Sequence, residues 1–173
     1  ALMWAVNLGN IDLIELLLQA GADVNRQNLA GQTPLLRAVM DDRDDITQLL
    51  INSGAQINLA DEMGNTPLRY AVANGDLTLF QFFLSQTTSD TIKGYYELDL
   101  WFVAAAHGQT NILDYLLNQG LDIDLENEEG QSAIEIAYNN EQFQTAQFLL
   151  DQGADTSNLE VSTHLQNQSQ QQQ

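Results

Sequence analysis

The chain has 173 residues, 44% of them hydrophobic, no cysteine, and a formal net charge of −19. That apolar share supplies a core, the missing cysteines exclude disulfides and thiolate metal sites, and no apolar run is long enough to span a bilayer. All five basic residues (Arg26, Arg37, Arg43, Arg69, Lys93) lie at or before position 93, and thirteen acids follow with no Lys or Arg; such a field repels phosphates, which makes nucleic acid and anionic membranes poor partners and a basic protein surface a better one, although acidity also serves solubility.

In chain order, the first element opens at Ala1-Leu2-Met3-Trp4-Ala5 and stops near Gly9. A second helix carries Leu17 and Leu18, ends at Gly21 and leads into an extended piece, Ala22-Asp23-Val24-Asn25. Gly31-Gln32-Thr33-Pro34-Leu35-Leu36-Arg37-Ala38 then opens another pair of helices. Thr33 is placed to cap orphan amides, and Pro34 loses no hydrogen bond in a first turn. The partner helix carries Leu50 and Ile51 and ends at Gly54, before Ala55-Gln56-Ile57-Asn58.

The same opening returns 33 residues on as Gly64-Asn65-Thr66-Pro67-Leu68-Arg69-Tyr70-Ala71. Its first helix stops at Gly75, and Phe83 and Leu84 take the ladder positions of the second. The next copies are Glu97-Leu98-Asp99-Leu100-Trp101-Phe102-Val103-Ala104 and Gly130-Gln131-Ser132-Ala133-Ile134-Glu135-Ile136-Ala137. Their second helices carry Leu116 with Leu117 and Leu149 with Leu150, and end at Gly120 and Gly153. Glycine in these places suits the left-handed residue past a helix C-terminus. One alanine never drifts: Ala5, Ala38, Ala71, Ala104, Ala137. A fixed period of this length predicts a stacked array in which each repeat leaves an apolar face for its neighbour. Any larger side chain at the alanine would overpack that contact.

By these residues the chain resembles the ankyrin-repeat family. The family pattern G-x-T-P-L-H-x-A-A, then G-H, L-L and G-A-D-V-N, is matched at Gly31 to Ala38, Gly64 to Ala73, Ala104 to Gly108 and Leu17 to Asn25. The resemblance covers residues 1–156, with repeats at about 1–30, 31–63, 64–96, 97–129 and 130–156, followed by a cap segment and glutamine-rich tail at 157–173. It implies an all-α repeat solenoid, a stack of helix-turn-helix units joined by short β-hairpin or loop connections. Two departures stand out. Thr87-Thr88-Ser89-Asp90-Thr91 replaces the closing G-A-D-V-N of the third repeat, and the family histidine is replaced by Leu36, Arg69, Phe102 and Glu135.

Catalysis has little support. His107 and His164 lie far apart, and no nucleophile elbow, phosphate loop or metal-spaced histidine pair occurs. No cofactor is implied. The run Asp122-Ile123-Asp124-Leu125-Glu126-Asn127-Glu128-Glu129 invites a calcium reading but lacks the turn glycine and terminal bidentate acid of a calcium loop. Its alternation suits a repeat connection with Ile123 and Leu125 facing in. Asp41-Asp42-Arg43-Asp44-Asp45 reads as acids favouring a helix N-terminus. Trp101 takes the slot of Leu2, Leu35, Leu68 and Ile134 and is expected in the core.

The resemblance implies recognition through the hairpin tips and the exposed, concave face of the first helices. Carried over by register, the partner-binding residues are Leu29, Gln32, Met63, Asn65, Lys93, Tyr95, Tyr96, Leu98, His107, Glu126, Glu128 and Glu129. The expected function is non-catalytic binding of another protein with a basic and apolar surface, by a chain that is monomeric on its own. With no membrane-spanning run and no basic-then-apolar leader, the expected location is cytoplasmic; the start in mid-repeat leaves room for an export signal upstream. The apolar Leu2, Met3, Trp4 and Val6 at that start motivate an alternative, the targeting array of a larger enzyme or secreted effector. A second alternative is calcium binding at the acidic end.

Overall fold

The computed structural model describes residues 1–86 and 99–157. Lys93, Tyr95, Tyr96, Leu98, the departure at Thr87–Thr91 and the tail from 158 lie outside those residues. The described residues form ten helices: α1 Leu2–Leu8, α2 Ile11–Gln19, α3 Pro34–Met40, α4 Asp44–Asn52, α5 Pro67–Asn74, α6 Leu77–Ser85, α7 at 99–106, α8 Thr110–Asn118, α9 Ala133–Asn139 and α10 Phe143–Asp151. The chain divides into two compact units, 1–88 and 89–173. In the first, α1 packs on α2 and α3, α3 on α4 and α5, and α5 on α6; in the second, α9 packs on α10. No described helix is long and apolar enough to cross a membrane.

Local chemistry starts the helices where the sequence places them. Thr33 Oγ1 accepts the Leu36 N–H at 3.0 Å and Thr66 Oγ1 the Arg69 N–H at 3.3 Å, with Pro34 and Pro67 in the first turn. Before α9 there is no threonine or proline. There Glu135 Oε2 accepts from the Ser132 N–H at 2.7 Å and from its hydroxyl at 3.1 Å. The family's histidine position thus carries a reciprocal cap in this repeat. Second helices are capped by Asn10, whose Oδ1 accepts the Leu13 N–H at 3.0 Å, and by Asp76, which takes the Leu79 N–H at 2.8 Å.

First helices end in a left-handed residue at one register position. It is glycine at Gly9 (φ 67°), Gly75 (φ 75°) and Gly108 (φ 75°), but aspartate at Asp42 (φ 53°) and glutamate at Glu141 (φ 61°). A side chain in this conformation costs roughly 1–2 kcal/mol. Glu141→Gly is therefore expected to stabilise the protein by about 1 kcal/mol, seen as a higher urea midpoint with an unchanged slope.

The recurring alanines are fully buried at all five positions. Of the two expected ladders, the first is buried at Leu50, Phe83, Leu116 and Leu149 but half-buried at Leu17, whereas Leu18, Ile51, Leu84, Leu117 and Leu150 are all half-buried. The other buried column lies three residues earlier, at Ile14, Thr47, Phe80, Leu113 and Ala146. Positions three apart share a helix face, and the Leu18 position falls at the margin of that stripe. Trp101 is fully buried, as its slot requires. Leu2 and Val6 are buried, while Trp4 and Leu8 are exposed.

The connections are turns and loops. Among the described residues the sole β-type pairing is an isolated antiparallel bridge between Glu126 and Ser132. Ile123 and Leu125 are half-buried between exposed acids, which keeps the alternation without an extended strand. Within each unit, polar bonds tie neighbouring repeats. Asn25 Oδ1 accepts the Gln56 N–H at 2.7 Å, and the Asn74 amide donates to the Val39 carbonyl at 2.7 Å. In the second unit Asp124, in register with Asn25, accepts the Asp155 N–H at 2.8 Å.

Candidate functional site: the hairpin tips

Three loops in register share one construction. Asn28 Oδ1 accepts the N–H groups of Ala30 at 3.0 Å and Gln32 at 2.9 Å. Asp61 Oδ1 takes those of Met63 at 3.0 Å and Asn65 at 2.8 Å. Asn127 Oδ1 takes those of Glu129 at 3.0 Å and Gln131 at 2.9 Å. A backbone bond closes each loop, from the N–H of Asn28, Asp61 or Asn127 to the carbonyl of Gln32, Asn65 or Gln131, at 2.9–3.0 Å. A side chain that bonds the backbone two and four residues on fixes a turn without a strand. These organising residues were not singled out from the sequence. The signal was there, an Asn or Asp recurring three residues before the opening glycine.

The first two tips are also joined to each other. The Glu62 N–H donates to the Ala30 carbonyl at 3.1 Å, and the Gln27 amide donates to Ala60 O at 3.1 Å and Gly31 O at 2.6 Å. Gly31 has φ 74°, and a Cβ there would lie 2.7 Å from the Glu62 nitrogen. Both the left-handed backbone and the close approach of the second tip demand glycine.

Each expected site residue now has a place. Leu29 is 99% exposed and Met63 is 87% exposed, on the two joined tips. Gln32 and Asn65 are half-buried and used within their own loops: Gln32 Oε1 accepts from the Asn28 amide at 3.1 Å, and the Asn65 amide donates to Asp61 Oδ2 at 3.3 Å. In the second unit Glu128 and Glu129 are exposed on the third tip, and Glu126 is exposed at the bridge with Ser132. His107 is exposed at the end of α7, its Nδ1 2.9 Å from the Val103 carbonyl. A bond to a carbonyl requires the proton on Nδ1, which leaves Nε2 as the acceptor of the neutral ring.

Asp61 is the electrostatic centre of the second tip. Burial opposes its charged form, but the Asn65 backbone and amide, the Met63 N–H and the Tyr70 hydroxyl at 3.2 Å outweigh this and hold its pKa below the ordinary value. The Tyr70 hydroxyl is pushed up, by burial first and then by the Asp61 charge. A folded-state pKa below the unfolded one contributes stability that is present above the unfolded value and lost as pH falls through the folded one. Asparagine keeps the turn-forming oxygen, as Asn28 and Asn127 do. Asp61→Asn is therefore expected to fold at pH 7 and to lose part of the stability decline below about pH 4, measured by urea melts from pH 7 to 2.5.

The acidic run is used by the backbone. Asp122 Oδ1 accepts the Asp124 N–H at 3.1 Å, and Asp124 holds Asp155 as described. Among the described residues, the acids that converge are instead Asp42, Asp44 and Asp76, with ligand-type oxygens all within 4.8 Å of one another. Burial, followed by the charges of Asp76, Asp42 and Asp45, raises the Asp44 pKa.

Among curated proteins, none matches this chain. Two matches to the family described as Ankyrin repeats (3 copies) run over residues 2–94 and 96–160, most of the chain. With the helix pairs, the capped Thr-Pro openings and the Asx-closed tips in the same register, these matches establish that the chain belongs to the ankyrin-repeat family.

Proposed function

We propose that the protein is a non-catalytic binding module whose tips engage a partner protein presenting an apolar patch rimmed by basic residues. Ankyrin repeats are in general protein–protein interaction modules, and the finer reading rests on one observation. Leu29 and Met63 hold large apolar side chains in solvent on loops fixed by their own Asx bonds and tied together at Ala30 and Glu62. Apolar surface held in a set conformation binds without a large ordering cost, which is what a contact anchor needs.

By sequence register Tyr95 and Tyr96 take the tip positions of Leu29-Ala30, Glu62-Met63 and Glu128-Glu129. With Lys93 and Leu98 they complete the proposed contact set, since a tyrosine buries a rigid ring and keeps a hydroxyl for hydrogen bonding. Glu126, Glu128, Glu129 and the exposed His107 give the second unit a polar, acidic contribution. Its charge steers a basic partner and is screened by salt. Gln32 and Asn65 contribute by holding the loops that present the anchors.

The test is affinity capture with the full chain and with a Leu29→Ser, Met63→Ser double variant. Partners identified with the parent are expected to bind the variant at least about tenfold more weakly, since anchor truncations cost on the order of 1–2 kcal/mol each. The melting curve is expected to stay within about 0.5 kcal/mol, as for exposed substitutions. Unchanged affinity in a folded variant would remove the tips from the binding surface.

A further inference from the structure

The second repeat departs from the periodic pattern at three positions that meet in one place. Asp42 occupies the left-handed position that is glycine at 9, 75 and 108. Asp44 opens α4 where the other repeats have Ile11, Leu77, Thr110 and Phe143. Thr47 stands in the buried column otherwise made of Ile14, Phe80, Leu113 and Ala146.

These residues line a cavity of about 580 Å³ together with Gln48 and, from the third repeat, Asn74 and Asp76. No Lys or Arg lines it. Arg43, the nearest cation in sequence, is directed to Asp45 at 3.4 Å. The Thr47 side chain lies one turn beyond Asp44 on the same side of α4. Thr47 is 3% exposed, and its hydroxyl has no hydrogen-bond partner. An unpaired buried hydroxyl is costly, a side chain at the left-handed position adds its own cost, and converging carboxylates repel. A bound cation would offset the hydroxyl and carboxylate costs together.

We propose that Asp42, Asp44 and Asp76, with the Thr47 hydroxyl, form a calcium-binding site between the second and third repeats. The ligand set, oxygens from several separate side chains, selects the ion. Calcium accepts 6–8 oxygens in flexible geometry, carboxylates and amide carbonyls together, whereas magnesium demands a near-ideal octahedron and keeps several of its waters. The carboxylate oxygens converge within 4.8 Å. Gln48 and Asn74 carry further oxygens on the cavity wall, and water completes a shell of 6–8 ligands. Asp76 keeps one oxygen on the Leu79 N–H, so the ion also ties α4 to the N-terminus of α6. Three carboxylates at an open site place the affinity at about 10⁻⁴–10⁻³ M.

The experiment is thermal unfolding and calorimetry of the full chain, stripped of metal and titrated with calcium chloride or magnesium chloride at equal ionic strength. Calcium is expected to raise the melting temperature beyond the magnesium response, with one saturable heat. Asp42→Gly is expected to melt higher than the parent without metal, because glycine fits the backbone, and to lose the calcium increment. Asp76→Asn, which keeps the cap on α6, is expected to weaken binding by roughly tenfold or more. A control pair, Asp12→Asn with Glu15→Gln on α2, is expected to keep the response. Equal effects of the two ions, a calcium increment that survives Asp42→Gly or Asp76→Asn, or its loss in the control pair would each overturn the assignment.

Discussion

Phe80→Ala is expected to destabilise the protein by about 3–5 kcal/mol, the range for emptying a fully buried aromatic site. Phe80 is 0% exposed, in α6, one turn before the equally enclosed Phe83. Its register equivalents run from Ile14 to Ala146, so this column has no common side-chain volume. The surroundings of position 80 are therefore built around a ring, and the third repeat cannot collapse onto a methyl group without moving α5 against α6. In a repeat array such a loss is local before it is global. Amide exchange should show α5 and α6 losing protection first, and the urea midpoint should fall. A loss below about 1 kcal/mol would mean that the ring does not fill that space.

The second large effect comes from adding volume. Ala71→Leu is expected to cost about 1–3 kcal/mol or more, because the methyl group already sits at 0% exposure on α5, a helix that packs on both α3 and α6. The same change at the exposed Ala20, at the end of α2, should stay within about 0.5 kcal/mol. The contrast tests the physical meaning of the recurring alanine. A small residue there sets how closely the first helices approach, so tolerance at 71 would leave its recurrence without a packing explanation.

What was legible in the sequence follows from what recurs at a fixed spacing. The alanine column, the Thr-Pro openings and the closing glycines each answer one steric or hydrogen-bonding demand with one residue type, so they stand out by eye. The column at Ile14, Thr47, Phe80, Leu113 and Ala146 does not, because burial there is met by side chains of different size and one hydroxyl. Its neighbour at Leu18, Ile51, Leu84, Leu117 and Leu150 reads as the stronger ladder from hydropathy alone, although it lies at the edge of the buried stripe. Likewise, Asp42 and Glu141 hide a left-handed position behind residues that usually avoid it.

Register puts Leu29 and Met63 on the tips, and both are exposed there. Their fixed presentation depends on Asn28 and Asp61, which look like ordinary loop polars until their side chains are seen to bond the backbone. Gln32 and Asn65 show the reverse. Register puts them beside the opening glycine, yet the loop consumes much of their polarity. The meeting of Asp42 and Asp44 with Asp76 is invisible in the linear sequence, because it arises from stacking one repeat on the next.

The central claim is that the tips are where the partner sits. Site-specific photo-crosslinking tests it most directly, with a photoreactive residue replacing Leu29, Met63 or, as a comparison, the exposed Gln48 on α4. Cross-links to one captured protein from positions 29 and 63, and none from 48, are the expected result. Equal yield from position 48, or no cross-link from either tip while the partner remains bound, would contradict the account.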